Sequence, residues 1–186
     1  MVTIGDVTSA KSLGWPIFKW LRSRFGKPKI KVEIGEGYPF EVTEPAGATG
    51  HALRGQRIQV TNKGGSDFKC IAKIVEMKRS DGKAFNNIYL PVGLKTQHQK
   101  SQNRKAGEFN LRVGESKLVE LAYLDETNQT SEMVLQYEDN SYANCVPRGS
   151  YKLKIVVYGG GKPAESWCRL YVDGRGYLKL VNEKKA

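Results

Sequence analysis

From Lys29 onward the chain is a succession of short alternating segments, each cut off by glycine, asparagine or proline. Lys29-Ile-Lys-Val-Glu-Ile34, Arg57-Ile-Gln-Val-Thr61 and Tyr151-Lys-Leu-Lys-Ile-Val-Val-Tyr158 carry it most clearly. A period of two puts one set of side chains on each face of a strand, whereas an amphipathic helix repeats about every 3.6 residues. Turn residues arrive too often for a long helix to form between them. The pattern commits this part of the chain to antiparallel β-structure.

Reading along the chain, Gly35-Glu-Gly37 turns the first strand, and Tyr38 to Thr43 forms a second. Pro45 to Gly50 is a loop. Asn62-Lys-Gly-Gly65 is a tight turn, because Asn and Gly tolerate positive φ. Phe68 to Met77 follows as a strand, and Arg79-Ser-Asp-Gly82 turns it. Residues 83–108 are the least regular, with Ile88-Tyr-Leu as a short extended piece. Phe109 to Val113, Lys117 to Leu124 and Met133 to Tyr137 are further strands, and Asn140 to Arg148 reads as a connection. Tyr151 to Tyr158, Ser166 to Val172 and Tyr177 to Val181 close the domain, with turns at Gly159-Gly-Gly161 and Asp173-Gly174. About nine short strands point to a two-sheet sandwich, with a closed barrel as the alternative.

The first 28 residues have a different texture. Pro16 suits a first helical turn, where its missing N–H would be unbonded anyway, and Gly26 with Pro28 stops a helix. Between them Ile17, Phe18, Trp20, Leu21 and Phe25 fall on one arc, and Lys19, Arg22 and Ser23 on the other, with Arg24 intruding on the apolar side. A short amphipathic helix is expected, preceded by a polar tail. A helix this short is marginal alone in water and needs a surface.

Charge is concentrated in the same region. The chain carries a net +11. More than half of that excess lies in residues 1–31, where Lys11, Lys19, Arg22, Arg24, Lys27, Lys29 and Lys31 face only Asp6. A basic head on a nearly balanced body suits an anionic partner. The segment Lys95 to Lys105 is a second basic stretch, an exposed loop without acid or apolar residue.

Three sequence features resemble known sandwich domains. Ile58-Gln-Val-Thr-Asn-Lys-Gly-Gly65 resembles the turn after the second strand of the cell-adhesion-related and fibronectin-like bacterial β-sandwiches. Leu111-Arg-Val-Gly-Glu-Ser116 resembles their lead into a later strand. Pro147-Arg-Gly-Ser-Tyr-Lys-Leu153 resembles the immunoglobulin-type corner, in which a tyrosine enters strand F. The resemblance implies an immunoglobulin-like sandwich. The pinning disulfide is missing, since Leu153 stands where a cysteine belongs and Trp167 lies after the F strand. Residues 20–181 also resemble a group of uncharacterised bacterial membrane-associated proteins, through Lys27-Pro-Lys-Ile-Lys-Val-Glu33, Val60-Thr-Asn-Lys-Gly64 and Tyr151 to Tyr158. That likeness implies a membrane-proximal domain and carries no activity. Members of that group often carry membrane helices just before the domain, and here no run of eighteen apolar residues provides one.

Catalytic constellations are not evident. His51 and His98 are the only histidines, and both fall in loops. Cys70, Cys145 and Cys168 have no metal-ligand spacing and read as small apolar residues of a reducing compartment. Gly159-Gly-Gly-Lys162 lacks phosphate-loop spacing and is followed by Pro163 and a strand, so it reads as a hairpin turn. Asp125-Glu126 and Glu138-Asp139 read as solvated surface.

These readings lead to a mainly β chain, with residues 1–28 as tail and helix and residues 29–186 as the sandwich. The expected role is non-catalytic binding, with no metal and no cofactor. Trp15, Phe18, Trp20, Arg22 and Arg24 are the expected contacts to an anionic membrane surface or a protein partner. The second expected patch is on the outer face of the last hairpin, where Trp167, Arg169 and Tyr171 would lie beside Tyr158. Tyr151, Leu153, Ile155 and Val157 would point inward, and Lys152, Lys154, Val156 and Tyr158 outward. The expected location is cytoplasmic, at the inner membrane face. The alternatives are nucleic-acid binding through the head and loop 95–105, or a self-assembling subunit.

Overall fold

The computed structural model describes residues 26–44, 53–83, 90–96, 107–125, 132–135 and 145–183. Among these residues there is no helix, and the strands form two antiparallel six-stranded sheets. In the first sheet β3 (Leu53–Asn62) pairs on one side with β7 (Ser116–Asp125). Its other edge takes β1 (Ile30–Glu33) and β2 (Glu41–Glu44) one after the other. The sheet continues from β7 to β8 (Glu132–Leu135) and β9 (Cys145–Pro147). In the second sheet β4 (Phe68–Arg79) pairs with β10 (Ser150–Tyr158), and the order continues to β11 (Ala164–Val172) and β12 (Leu178–Asn182). The free edge of β4 takes β5 (Val92–Gly93) and β6 (Glu108–Leu111) in succession. The helix expected before Gly26 lies outside the described residues.

Both sheets contribute to one apolar core. Ile58, Val60, Val119 and Leu121 from the first meet Ala72, Ile74, Leu153, Ile155, Cys168 and Leu170 from the second, all fully buried. The inward set expected on the 151–158 strand holds throughout, with Tyr151, Leu153, Ile155 and Val157 all without exposure. The outward set needs one correction. Val156 is 3% exposed, so it is covered on the outer face and offers no contact surface. The expected connection from Asn140 to Arg148 is also corrected, because Cys145–Pro147 forms β9. Pro147 is tolerated there because β9 ends its sheet, and an edge strand need not donate every N–H.

Two strands carry an extra residue. The β3–β7 register shifts between Gln56 and Arg57, and the β4–β10 register shifts between Lys154 and Ile155. The unmatched residues are Leu121 on β7 and Val75 on β4. Such bulges increase local twist and re-aim the side chains beyond them. Next to the Leu121 bulge, Arg57 is buried on the outer side of its sheet. Its Nη2 reaches Glu120 Oε1 and the Tyr123 hydroxyl, each at 3.4 Å, and that hydroxyl donates to Glu120 Oε1 at 3.1 Å. Gln56 points the other way and bridges the sheets, its Nε2 donating to the Leu178 carbonyl at 2.7 Å.

Tyr151 opens β10 with its ring fully buried and its hydroxyl donating to the Pro147 carbonyl at 2.6 Å. This bond closes the corner over which the chain passes from β9 in one sheet to β10 in the other.

The turns that leave β3, β6 and β10 gather at one end of the molecule, and Asn62 ties two of them together. Fully buried, its Nδ2 donates to the Ser66 carbonyl (2.9 Å) and the Leu111 carbonyl (3.3 Å), and its Oδ1 accepts the Gly64 N–H at 2.9 Å. The Asn62 carbonyl accepts the Gly114 N–H at 3.0 Å. Pro28 enters at the same end, wedged between turns of both sheets. A Cβ on Gly64 would collide with the Lys29 nitrogen and sit 2.6 Å from the Pro28 Cα. A Cβ on Gly160, at φ +60°, would meet the Pro28 ring at 2.5 Å and Phe68 at 2.8 Å. Glycine at both positions therefore makes the seat for the incoming chain.

Candidate functional site

Two surfaces of the described structure carry chemistry worth building. The first is the outer face of the second sheet. The last hairpin forms as expected, with Lys152 opposite Arg169 and Lys154 opposite Trp167. Trp167 is half-buried beneath two ammonium groups, Lys152 Nζ at 5.2 Å and Lys154 Nζ at 5.7 Å from its ring centroid. Arg169 lies 5.8 Å from the Tyr171 ring. Cations over aromatic faces are attracted by the ring quadrupole. Each cation also has a carboxylate: Lys152 and Arg169 share Glu183 at 3.5 and 3.3 Å, and Lys154 meets Glu165 at 3.3 Å and Glu76 at 3.7 Å. The patch is therefore charge-balanced. The Trp167 Nε1 is buried and donates to no described residue.

Trp167, Arg169 and Tyr171 thus share a face, as the alternation requires. Tyr158 does not join them. It stands opposite Ile71 of β4 at the far end of β10, four residues beyond the Lys154–Trp167 pair, and is 39% exposed. Alternation places it by face alone. The hairpin register separates it along the strand.

The second surface is the end where the turns gather. Lys27, Lys29, Lys63, Arg112 and Lys162 are all exposed there. Asp67 and Glu115 oppose them on the same turns, each holding a backbone N–H, and Glu115 also pairs with Lys117 at 3.8 Å. Asp67 Oδ1 accepts the Val113 N–H at 2.8 Å, and Glu115 Oε2 accepts the Arg112 N–H at 2.7 Å. Lys27, Lys29, Arg112 and Lys162 form no ion pair with a described residue. Val113 sits among them, 44% exposed. Strand arithmetic did not single out this end, because its cations come from three separate turns and the incoming chain. Trp15, Phe18, Trp20, Arg22 and Arg24 lie outside the described residues, although Gly26 and Lys27, where the head joins, are at this end.

Of the basic loop 95–105, only Lys95 and Thr96 are described. Lys95 accepts the Glu120 N–H through its carbonyl at 2.9 Å, and Thr96 bridges to Val119. Gly107 follows this loop, and a Cβ there would lie 3.4 Å from the Leu94 carbonyl oxygen. The two ends of this segment therefore meet.

Burial pushes the thiols of Cys70 and Cys168 up to about 12, from an ordinary value of 9.0. A thiol that keeps its proton is a poor nucleophile and a poor metal ligand. Linkage gives a pH signature. A group whose value is raised by folding supports the fold fully below its unfolded value and loses that support as pH climbs to the folded one. Urea midpoints are therefore expected to hold level to about pH 8.5 and to fall between pH 9 and 12. The double variant Cys70→Ala, Cys168→Ala should lose much of that alkaline decline. An unchanged slope would assign it to other groups, Tyr151 among them, whose phenol burial also raises.

Among the described residues no group of three or more His, Cys, Asp or Glu is arranged to hold a metal ion. No family model, curated protein or solved structure matches the chain.

Proposed function

We propose that this chain is a non-catalytic adaptor, an immunoglobulin-like sandwich held at an anionic membrane surface by a basic amphipathic helix just before Gly26. In this reading Trp15, Phe18 and Trp20 enter the interface, and Arg22 and Arg24 meet headgroups. The observation that carries it is the Pro28 seat. The chain leaving the head is gripped between Gly64 and Gly160 rather than joined by a loose linker, so a surface-bound head would hold the sandwich in a fixed pose.

Strand order supports the immunoglobulin-like part of the reading. In that fold strands B and E are neighbours in one sheet, and C, F and G in the other. Here β3 and β7 are neighbours, as are β4, β10 and β11. Tyr151 occupies the tyrosine corner at the start of strand F and bonds back four residues to Pro147. The β8–β9 pair and β12 are additions to that frame.

The outer face bearing Trp167, Arg169 and Tyr171 supports a second role, docking a protein partner. Aromatic and Arg side chains are enriched at such contacts, and the balanced charges around Trp167 suit a protein better than a lipid headgroup.

The test is co-sedimentation of the full chain with phosphatidylserine-containing and pure phosphatidylcholine vesicles at two salt concentrations. Binding is expected only to the anionic vesicles and weaker in high salt. The variant Phe18→Ser, Trp20→Ser should lose at least roughly tenfold in affinity, since each aromatic contributes on the order of 1.5–3 kcal/mol when removed from water. Failure of the full chain to bind would sink the membrane reading. Tight, salt-sensitive capture of a labelled oligonucleotide would put nucleic-acid binding through the head and loop 95–105 in its place.

A further inference from the structure

We infer that the turn end of the sandwich is itself a contact surface for the anionic bilayer, so that the domain docks end-on. The inference rests on the membrane reading above and adds the second contact and the pose.

Three observations point to it. The first is charge. Lys27, Lys29, Lys63, Arg112 and Lys162 reach solvent from three turns and the incoming chain, against Asp67 and Glu115 at the same end, which hold the Val113 and Arg112 N–H groups. Around Trp167, by contrast, Lys152, Lys154 and Arg169 each have a carboxylate partner. Five exposed cations against two carboxylates leave the turn end with positive charge to spare for headgroups.

The second is reach. A chain extends at most about 3.5 Å per residue, so Lys29 lies within roughly 14 Å of Phe25 however the backbone runs between them. The Pro28 seat shortens the excursion further by holding the chain against the Gly64 and Gly160 turns. A head lying on the membrane therefore keeps Lys29, and the turn end with it, within about two Debye lengths of the surface.

The third is rigidity combined with an apolar tip. Asn62 and its neighbours lock the 62–67 and 112–115 turns together, so docking them orders little that is not already ordered. Val113 projects from that locked turn beside Arg112, 44% exposed, a small apolar tip flanked by positive charge. Such a pairing suits the headgroup boundary, where apolar groups enter and cations stay outside.

The test uses the full chain and vesicles of phosphatidylserine in phosphatidylcholine. The triple variant Lys63→Glu, Arg112→Glu, Lys162→Glu is compared with Lys78→Glu, Lys83→Glu, Arg175→Glu. The second set takes exposed cations at or towards the opposite end, with the same change in net charge. Each basic residue near an anionic surface is worth about fivefold in affinity, so the first triple is expected to weaken binding roughly a hundredfold. The second triple should weaken it less than about tenfold, with thermal midpoints of both close to the parent. If the parent binds and the first triple binds as tightly, or the two triples weaken equally, end-on docking is overturned while the head remains a membrane anchor. If the parent itself does not bind, the membrane reading falls and this inference with it.

Discussion

Asn62→Ala is expected to lower the unfolding free energy by about 3 kcal/mol. The substitution removes three side-chain hydrogen bonds at once, to the Ser66 and Leu111 carbonyls and from the Gly64 N–H. The abandoned Leu111 carbonyl is buried and the Ser66 carbonyl and Gly64 N–H are partly so, and a buried polar group without a partner costs more than the bond itself was worth. Asn62→Asp is the sharper variant. It keeps the acceptor for Gly64 but turns the two donated bonds into a carboxylate facing two carbonyl oxygens. Its stability should fall below that of the alanine variant at pH 7 and recover as the carboxylate is protonated in acid. Urea unfolding of the three proteins at pH 7 and pH 4 checks both statements. An alanine variant within about 1 kcal/mol of the parent would mean that the turns hold together without Asn62.

Tyr151 carries the other large effect, and two substitutions separate its parts. Tyr151→Phe removes only the 2.6 Å bond to the Pro147 carbonyl and is expected to cost about 1–2 kcal/mol. Tyr151→Ala also empties the volume of a fully buried ring beside Leu153 and is expected to cost about 3–5 kcal/mol. Equilibrium unfolding in denaturant measures both. Nearly equal losses would place the whole effect in the hydrogen bond and none in the packing.

The strands whose alternation is strong were legible in the sequence. Tyr151 to Tyr158 could be assigned face by face, because a buried position every second residue is what a sheet against a core imposes. The turn at Asn62 was legible as a turn, but its role was not. The partners of its side chain include Leu111, forty-nine residues away, and no local pattern announces such a bond. Val156 was misassigned because alternation says which way a side chain points and not what covers it. Tyr158 was placed on the right face and in the wrong company, since register along a hairpin depends on where the turn falls. The β9 strand was missed because Pro147 argues against a central strand, and only the finished sheet reveals that this one is at an edge. The bulges at Leu121 and Val75 leave no mark in the alternation, and the first of them adjoins the buried Arg57–Glu120 pair. Of the candidate sites, the Trp167 patch could be read from two strands. The basic turn end could not, because its residues become neighbours only when three turns and the incoming chain converge.

The Pro28 seat has a mechanical consequence. A pull applied through the residues before Gly26 enters the fold at the start of β1, which lies antiparallel to β3 with Ile30 opposite Asn62 and Glu33 opposite Gln59. The ladder bonds of such a pair run across the strands, so tension along β1 loads them side by side. Unzipping would load them one after another. The Lys63 N–H bonded to the Lys29 carbonyl at 2.7 Å, and the Pro28 ring lodged against Gly160, stand in front of that ladder as a stop. Tugged along its strands, the domain meets the load in shear at its first strand, and the force divides between the two sheets before the core is asked to yield.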